Sequence, residues 1–290
     1  MIAVTQALYL RDMNHMMRAA PARDRGRRGE RERMKADPST TSPATPETAR
    51  MSHPRQGLAA VGWLQGVPGA TLDGLARQSV LHRVPPGSLL FEQAETPSFA
   101  QFLLAGSIEL LGVRGKDETL IELLRPVDLV VPAAVLNRQP YLMRARVHEE
   151  AQLLLIQAEA FRSAIVADHA LCLAVLSCQA AQFRRQVKHA KNVKLRSAEE
   201  RVGAWLVALI DGAGTAEAVR LPMEKRLIAS QLGMTRETFS RALAAMARHG
   251  LRISGDMLQV EDAGAARARF PLDPLIDGPE PIAPLPQNRS

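Results

Sequence analysis

The alternation of apolar and polar positions changes rhythm along this chain of 290 residues. Over 72–160, short alternating or wholly apolar runs are broken by turn residues. Six of these runs read as strands: SLLFEQ, FAQFLLAGSIELLGV, TLIELL, DLVVP, MRARVHE and AQLLLIQ. Pro85-Pro86-Gly87, Glu95-Thr96-Pro97, Gly106, Gly115 and Arg125-Pro126 punctuate them, which predicts an antiparallel sandwich or roll. Gly106 lies inside the longest run, where a bulge or turn is expected. The rhythm then becomes helical, with one short helix and one long one over 158–196. His169, Leu173, Leu176, Ala180, Phe183, Val187 and Ala190 recur at spacings of four and three, the heptad seam that two such helices bury together. Ala170, Ala174 and Ala181, with Leu171, Val175 and Cys178, offer a second apolar face to the roll. A core helix within a single chain is the competing reading of this pattern.

Beyond 196 the pattern breaks into shorter helices. Ser197-Ala198-Glu199-Glu200 reads as a capping box opening a helix with Val202, Trp205, Leu206 and Leu209 inward, and the loop 211–217 ends it. In 222–251 two helical patterns flank a tight break at Gly233-Met234. Leu227, Ile228, Leu232 and the small Ala229 form the apolar face of the first; Phe239, Leu243 and Met246 form that of the second. Glycine suits a turn of positive φ, and Ala229 lets two helices approach closely. Thr235 is placed as an N-cap, with Thr238 rather than Glu three residues on. Arg236, Glu237, Ser240 and Arg241 are left facing outward, donors and acceptors suited to phosphates and base edges in a major groove. An ordinary helical hairpin with a solvated charged face shares the same periodicity. Leu251-Arg252-Ile253 and Met257-Leu258-Gln259-Val260 flank Ser254-Gly255-Asp256 as a β-hairpin wing.

Composition narrows the function. A net charge of +7 and a pI near 10 favour an anionic partner. Arg184, Arg185, Lys188, Lys191, Lys194 and Arg196 form a run without acids, read either as a phosphate attractor or as the solvated end of a helix. The chain has no apolar run of membrane-spanning length, and its only cysteines, Cys172 and Cys178, fit a reducing cytosol and small core positions. Residues 1–56, rich in arginine, read as a disordered basic extension that contains no signal peptide, with Met34 and Met51 as alternative starts. Six prolines in the last 20 residues predict a disordered tail over 271–290. Hydrolase, phosphate-loop and metalloprotease motifs are absent, and the histidines are scattered without metal-ligand spacing, so an enzyme, a metal site and a cofactor are not expected.

The run PMEKRLIASQLGMTRETFSRALAAMARHGL resembles the DNA-binding domain of the Crp/Fnr superfamily of bacterial transcription regulators, and ETFSR resembles the reading face of its Fnr-like branch. More weakly, the likeness extends over residues 65–262, and LLAGSIELL resembles an element of the cyclic-nucleotide-binding roll. The resemblance implies an α+β fold with a sensor roll over 57–167, a dimerisation helix over 168–196 and a winged helix-turn-helix over 197–270. It implies Glu237, Ser240 and Arg241 as base readers and half-sites close to TTGAT and ATCAA in an inverted repeat of double-stranded DNA, bound by a homodimer. RNA polymerase is a candidate protein partner. Family members that bind cyclic nucleotides carry Pro-Gly-Asp, then Phe-Gly-Glu, then Arg-Ser. Here the matching run is Pro126-Val127-Asp128-Leu129-Val130-Val131-Pro132, and Tyr141 and Leu142 stand at the Arg-Ser positions. Alternation places Arg144 and Arg146 on the other face from Met143 and Ala145. A buried phosphate needs a paired charge, so cyclic AMP is not expected as effector. The alternative function is a dimeric interaction module with a vestigial winged helix.

Overall fold

The computed structural model describes residues 51–214 and 218–282, and the elements below are numbered within them. Residues 1–50 of the expected basic extension, with the alternative start Met34, lie outside the described residues. Two short helices, α1 (Pro54–Ala60) and α2 (Gly69–Arg77), precede an antiparallel sheet. α1 begins at Pro54 and buries Leu58, so the described fold starts slightly before the boundary expected at 57. The strands are β1 (Ser79–Val84), β2 (Leu89–Phe91), β3 (Phe99–Arg114), β4 (Asp117–Leu124), β5 (Asp128–Val130) and β6 (Arg144–Gln157), in the order β1-β6-β3-β4, with β2 on β6 and β5 on β3.

The runs MRARVHE and AQLLLIQ merge into β6, and β1, absent from the six expected runs, covers its edge. SVLHRV carries arginine and histidine among its apolar residues, which hides its strand character. Gly106 adopts φ 81°, with register shifts on either side of it. A methyl there would sit 2.1 Å from the carbonyl oxygen of Glu150, so the bulge admits only glycine.

The chain leaves the sheet through α3 (Pro132–Asn137), between β5 and β6, and then through α4 (Ala158–Ala167) and the long α5 (His169–Leu195). Asp168 caps α5 by accepting from the Leu171 N–H. Leu171, Ala174, Val175 and Cys178 of α5 are buried against the roll, packed with Trp63, Phe102 and Phe161, and Ala181 is buried beyond them. Cys178 has no exposed surface, whereas Cys172, expected in the core, is exposed.

The second half opens with α6 (Ala198–Ala213), whose capping box between Ser197 and Glu200 is complete. Its inward face is Val202, Leu206, Val207 and Ile210, with Trp205 and Leu209 partly covered at the edge. The expected loop begins only at Gly214. β7 (Ala218–Arg220), α7 (Lys225–Gln231), α8 (Arg236–Met246), β8 (Leu251–Ser254), β9 (Met257–Val260) and α9 (Ala263–Arg269) follow. The wing is three-stranded, in the order β7-β9-β8. These elements give the α+β architecture that the sequence implies: a roll, a long helix and a winged helix-turn-helix.

Candidate nucleic-acid interface

The turn between α7 and α8 is built on Gly233, at φ 64°. The Met234 N–H reaches the Ala229 carbonyl at 3.0 Å, and Ala229 is buried where the two helices meet. A methyl on Gly233 would also collide with Val193 of α5, at 2.9 Å, so the turn is seated on the end of the long helix. Thr235 caps α8, accepting from the Thr238 N–H at 3.2 Å. Phe239, Ala242 and Met246 hold the buried face of α8, and Leu243 sits at its margin.

Thr235, Arg236, Glu237, Ser240 and Arg241 are all exposed and lie together on the opposite face. Arg241 makes one hydrogen bond, to the Thr238 hydroxyl at 3.4 Å. The backbone N–H of Glu237 and the Thr235 hydroxyl hold the Glu237 carboxyl below the usual carboxylate range. It is therefore charged, an acceptor only, at neutral pH.

The seam expected on α5 occupies a different face from the one that packs on the roll. Leu173 is half-buried; Leu176, Phe183 and Val187 are 54%, 67% and 43% exposed, with Ala180 exposed between them. Among the described residues this stripe has no covering element.

Most of the basic run on α5 is engaged within the protein, which neither expected reading included. Residues 271–282, expected to be a disordered tail, instead lie along α5 as a strap. Arg196 makes a two-pronged pair with Asp277, both contacts at 2.7 Å. Arg184 and Lys188 share Glu280, while Lys188 and Lys191 donate to the Gly278 and Leu275 carbonyls. Arg185 turns the other way, to Glu122 and Asp128 of the roll. Only Lys194 of the run stays unpaired among the described residues. Proline content signals the lack of helix but says nothing about docking. The usable signal is the pair of acids Asp277 and Glu280, following a helix end that has none.

In the run matched to the nucleotide cassette, Val131 takes φ 44° and Pro132 begins α3. Asp128 is spent within the protein: its oxygens accept from its neighbour's Leu129 N–H, from Gln182 Nε2 at 2.7 Å and from Arg185 at 2.5 Å. Tyr141 is 3% exposed and stacks on Phe91, with ring centroids 3.6 Å apart, whereas Leu142 is 80% exposed. Arg144 pairs with Glu92 and Glu118, and Arg146 with Glu109. Val84, Leu103, Ile108, Leu110, Val130 and Leu153 fill the interior beside Tyr141.

The roll and the helix-turn-helix touch directly. Leu227 of α7 packs against Leu111 and Leu120, and the Ser230 hydroxyl accepts from the Leu120 N–H at 2.7 Å.

Known proteins match both halves. Residues 81–168 match the cyclic nucleotide-binding domain, and residues 200–265 match the Crp-like helix-turn-helix domain. A CRP-like cAMP-activated global transcriptional regulator of Mycobacterium tuberculosis is 26% identical over 221 residues, 73% of this chain and 98% of that protein. The structure of CLP, a c-di-GMP responsive global regulator of Xanthomonas campestris, covers 67% of this chain and all of its own with a TM-score of 0.58 at 16% identity. FixK2 from Bradyrhizobium japonicum covers 66% of this chain and 96% of its own, with a TM-score of 0.54 at 18% identity. These structural likenesses concern the fold. No single helix among the described residues is long and apolar enough to cross a membrane.

Proposed function

Because the chain belongs to the Crp/Fnr superfamily of transcription regulators and carries its DNA-binding domain, we propose that it binds an inverted DNA repeat as a homodimer without control by cyclic AMP. The observation that carries this reading is the outward face of α8. Glu237, Ser240 and Arg241 stand free of the protein core on a helix whose other side is anchored by Phe239, Ala242 and Met246. A recognition helix presented in this way enters a major groove with its first turns toward the bases. Glu237 selects bases that offer an amino group, and the Arg241 fork matches guanine O6 and N7. Homodimer formation is supported by the uncovered stripe of Leu176, Phe183 and Val187, which two copies of α5 would bury together.

Independence from cyclic AMP is supported by the cassette. The Mycobacterium relative is described as cAMP-activated. In this chain Asp128 is committed to Gln182 and Arg185, an aromatic pair fills the Tyr141 position, and both nearby arginines are paired with glutamates. A nucleotide phosphate would be buried without a free cation, which is costly.

The test is in-vitro selection from random duplexes, with and without cyclic AMP. The expected product is an inverted repeat with half-site centres about one helical turn, roughly 34 Å, apart. By family likeness its half-sites are close to TTGAT and ATCAA, and the enrichment is the same in both arms. Selection of no sequence would favour the interaction-module alternative, and enrichment only with cyclic AMP would overturn the effector reading.

A further inference from the structure

A cavity of about 640 Å³ lies where the corner between β4 and β5, the long helix α5, the last residue of α7 and the strap come together. Leu129 to Pro132, Tyr141 and Leu142 do not line it, so most of the cassette run lies elsewhere. The three acids in its wall are already paired. Glu122 and Asp128 engage Arg185, and Glu280 engages Arg184 and Lys188.

The polar groups left over are of the opposite character. Arg125 is exposed at the rim and makes no hydrogen bond or ion pair among the described residues. His189 is half-buried, and burial lowers its pKa, so the ring is neutral at pH 7 and can donate through one nitrogen. Trp63 is 4% exposed, and its buried indole Nε1–H has no partner. Gln231 has a buried amide oxygen without a partner, on a side chain whose amide can turn either end toward a ligand. Buried polar groups are nearly always satisfied, so two unpartnered ones in one wall are available to a ligand. Ile121, Val127, Pro281 and Ile282 make the remainder of the wall apolar.

We propose that this cavity binds a small organic monocarboxylate with an apolar body, held at its charged end by Arg125 and by the unpartnered donors around it. The unspent charge is cationic, and the volume lies in the range of small-ligand sites. Gln231 closes α7, and Glu280 to Ile282 belong to the strap, so an occupant touches both the reading half and the segment that holds the long helix.

Calorimetry on the full chain tests this without DNA, so its failure leaves the DNA-binding reading intact. Decanoate and 2-naphthoate are the probes, each compared with its neutral carboxamide. At least one acid is expected to bind saturably and about tenfold more tightly than its amide, as a charge-assisted contact requires. Arg125→Ala removes an exposed side chain with no partner, so the fold should be unchanged by circular dichroism. That variant should lose the preference for acid over amide while still binding the amide. Absence of saturable binding by either acid, equal affinity for acid and amide, or an unchanged preference in Arg125→Ala would overturn the assignment.

Discussion

On the proposed DNA-binding reading, single side chains on α8 have separate tasks. Arg241 stands one turn beyond Glu237, whereas Arg236 is at the helix start beside the capping Thr235. Arg241→Ala should cost about 1–3 kcal/mol of binding and relax selection at the guanine, while Arg236→Ala should weaken all duplexes alike and flatten the salt dependence. Repeating the selection with each variant checks this; an unchanged consensus for Arg241→Ala would remove it from the reading face. Gly203 is a second position where one atom decides. It sits within α6 against the buried Phe270, and a methyl there would lie 2.4 Å from the ring. Alanine normally improves a helix by roughly 1 kcal/mol over glycine. Here Gly203→Ala should instead destabilise by about 1–3 kcal/mol, because overpacking a filled core forces side chains to shift. The midpoint of denaturant unfolding measures the sign.

At the scale of elements, α5 is one helix with two apolar faces, and among the described residues only one of them is covered. Leu171, Val175 and Cys178 are buried on the roll, while Leu176 and Phe183 face outward. Replacing Leu176 and Phe183 with Glu should leave the roll intact and produce monomers in sedimentation, since opposed carboxylates cannot be buried unpaired. Dimers surviving that change would place the interface elsewhere. Periodicity makes both faces of α5 legible, just as the glycine and threonine around the turn make α7 and α8 legible. It fails where a signal is masked or non-local. β1 is hidden by His82 and Arg83 within its run, and the joining of two strand segments into β6 depends on pairing with β3. The candidate reading face rests on residue types at fixed helical spacing, which is local information. The partners of Arg184, Lys188 and Arg196 are unreadable because they lie 81 to 96 residues away.

For the whole molecule, the strap converts a cationic helix end into an internal salt-bridge network. The Arg184 and Lys188 side chains hold the Glu280 carboxyl down to about 2. Burial opposes the charged form of Asp277, but the Arg196 guanidinium and the Asp273 backbone N–H outweigh it and its pKa is also lowered. Depressed carboxylates stabilise the fold above their unfolded pKa, and that contribution is lost as pH falls through the folded value. Strap docking should therefore persist at neutral pH and fail progressively below about pH 4, toward 2. Carboxyl-carbon NMR should place the Glu280 midpoint near 2 and return it to the ordinary range in the double variant Arg184→Met, Lys188→Met. A normal midpoint in the parent protein would mean that the strap is not held by these pairs. The separation in sequence also bears on the order of synthesis. Arg184 and Arg196 leave the ribosome 96 and 81 residues before the acids that neutralise them. At translation speeds of about 5–20 residues per second, the nascent helix carries its bare cations for roughly 4–20 seconds. During that interval the newborn chain is a polycation beside the messenger and ribosomal RNA, and it becomes self-neutralised only after its DNA-binding half has been made.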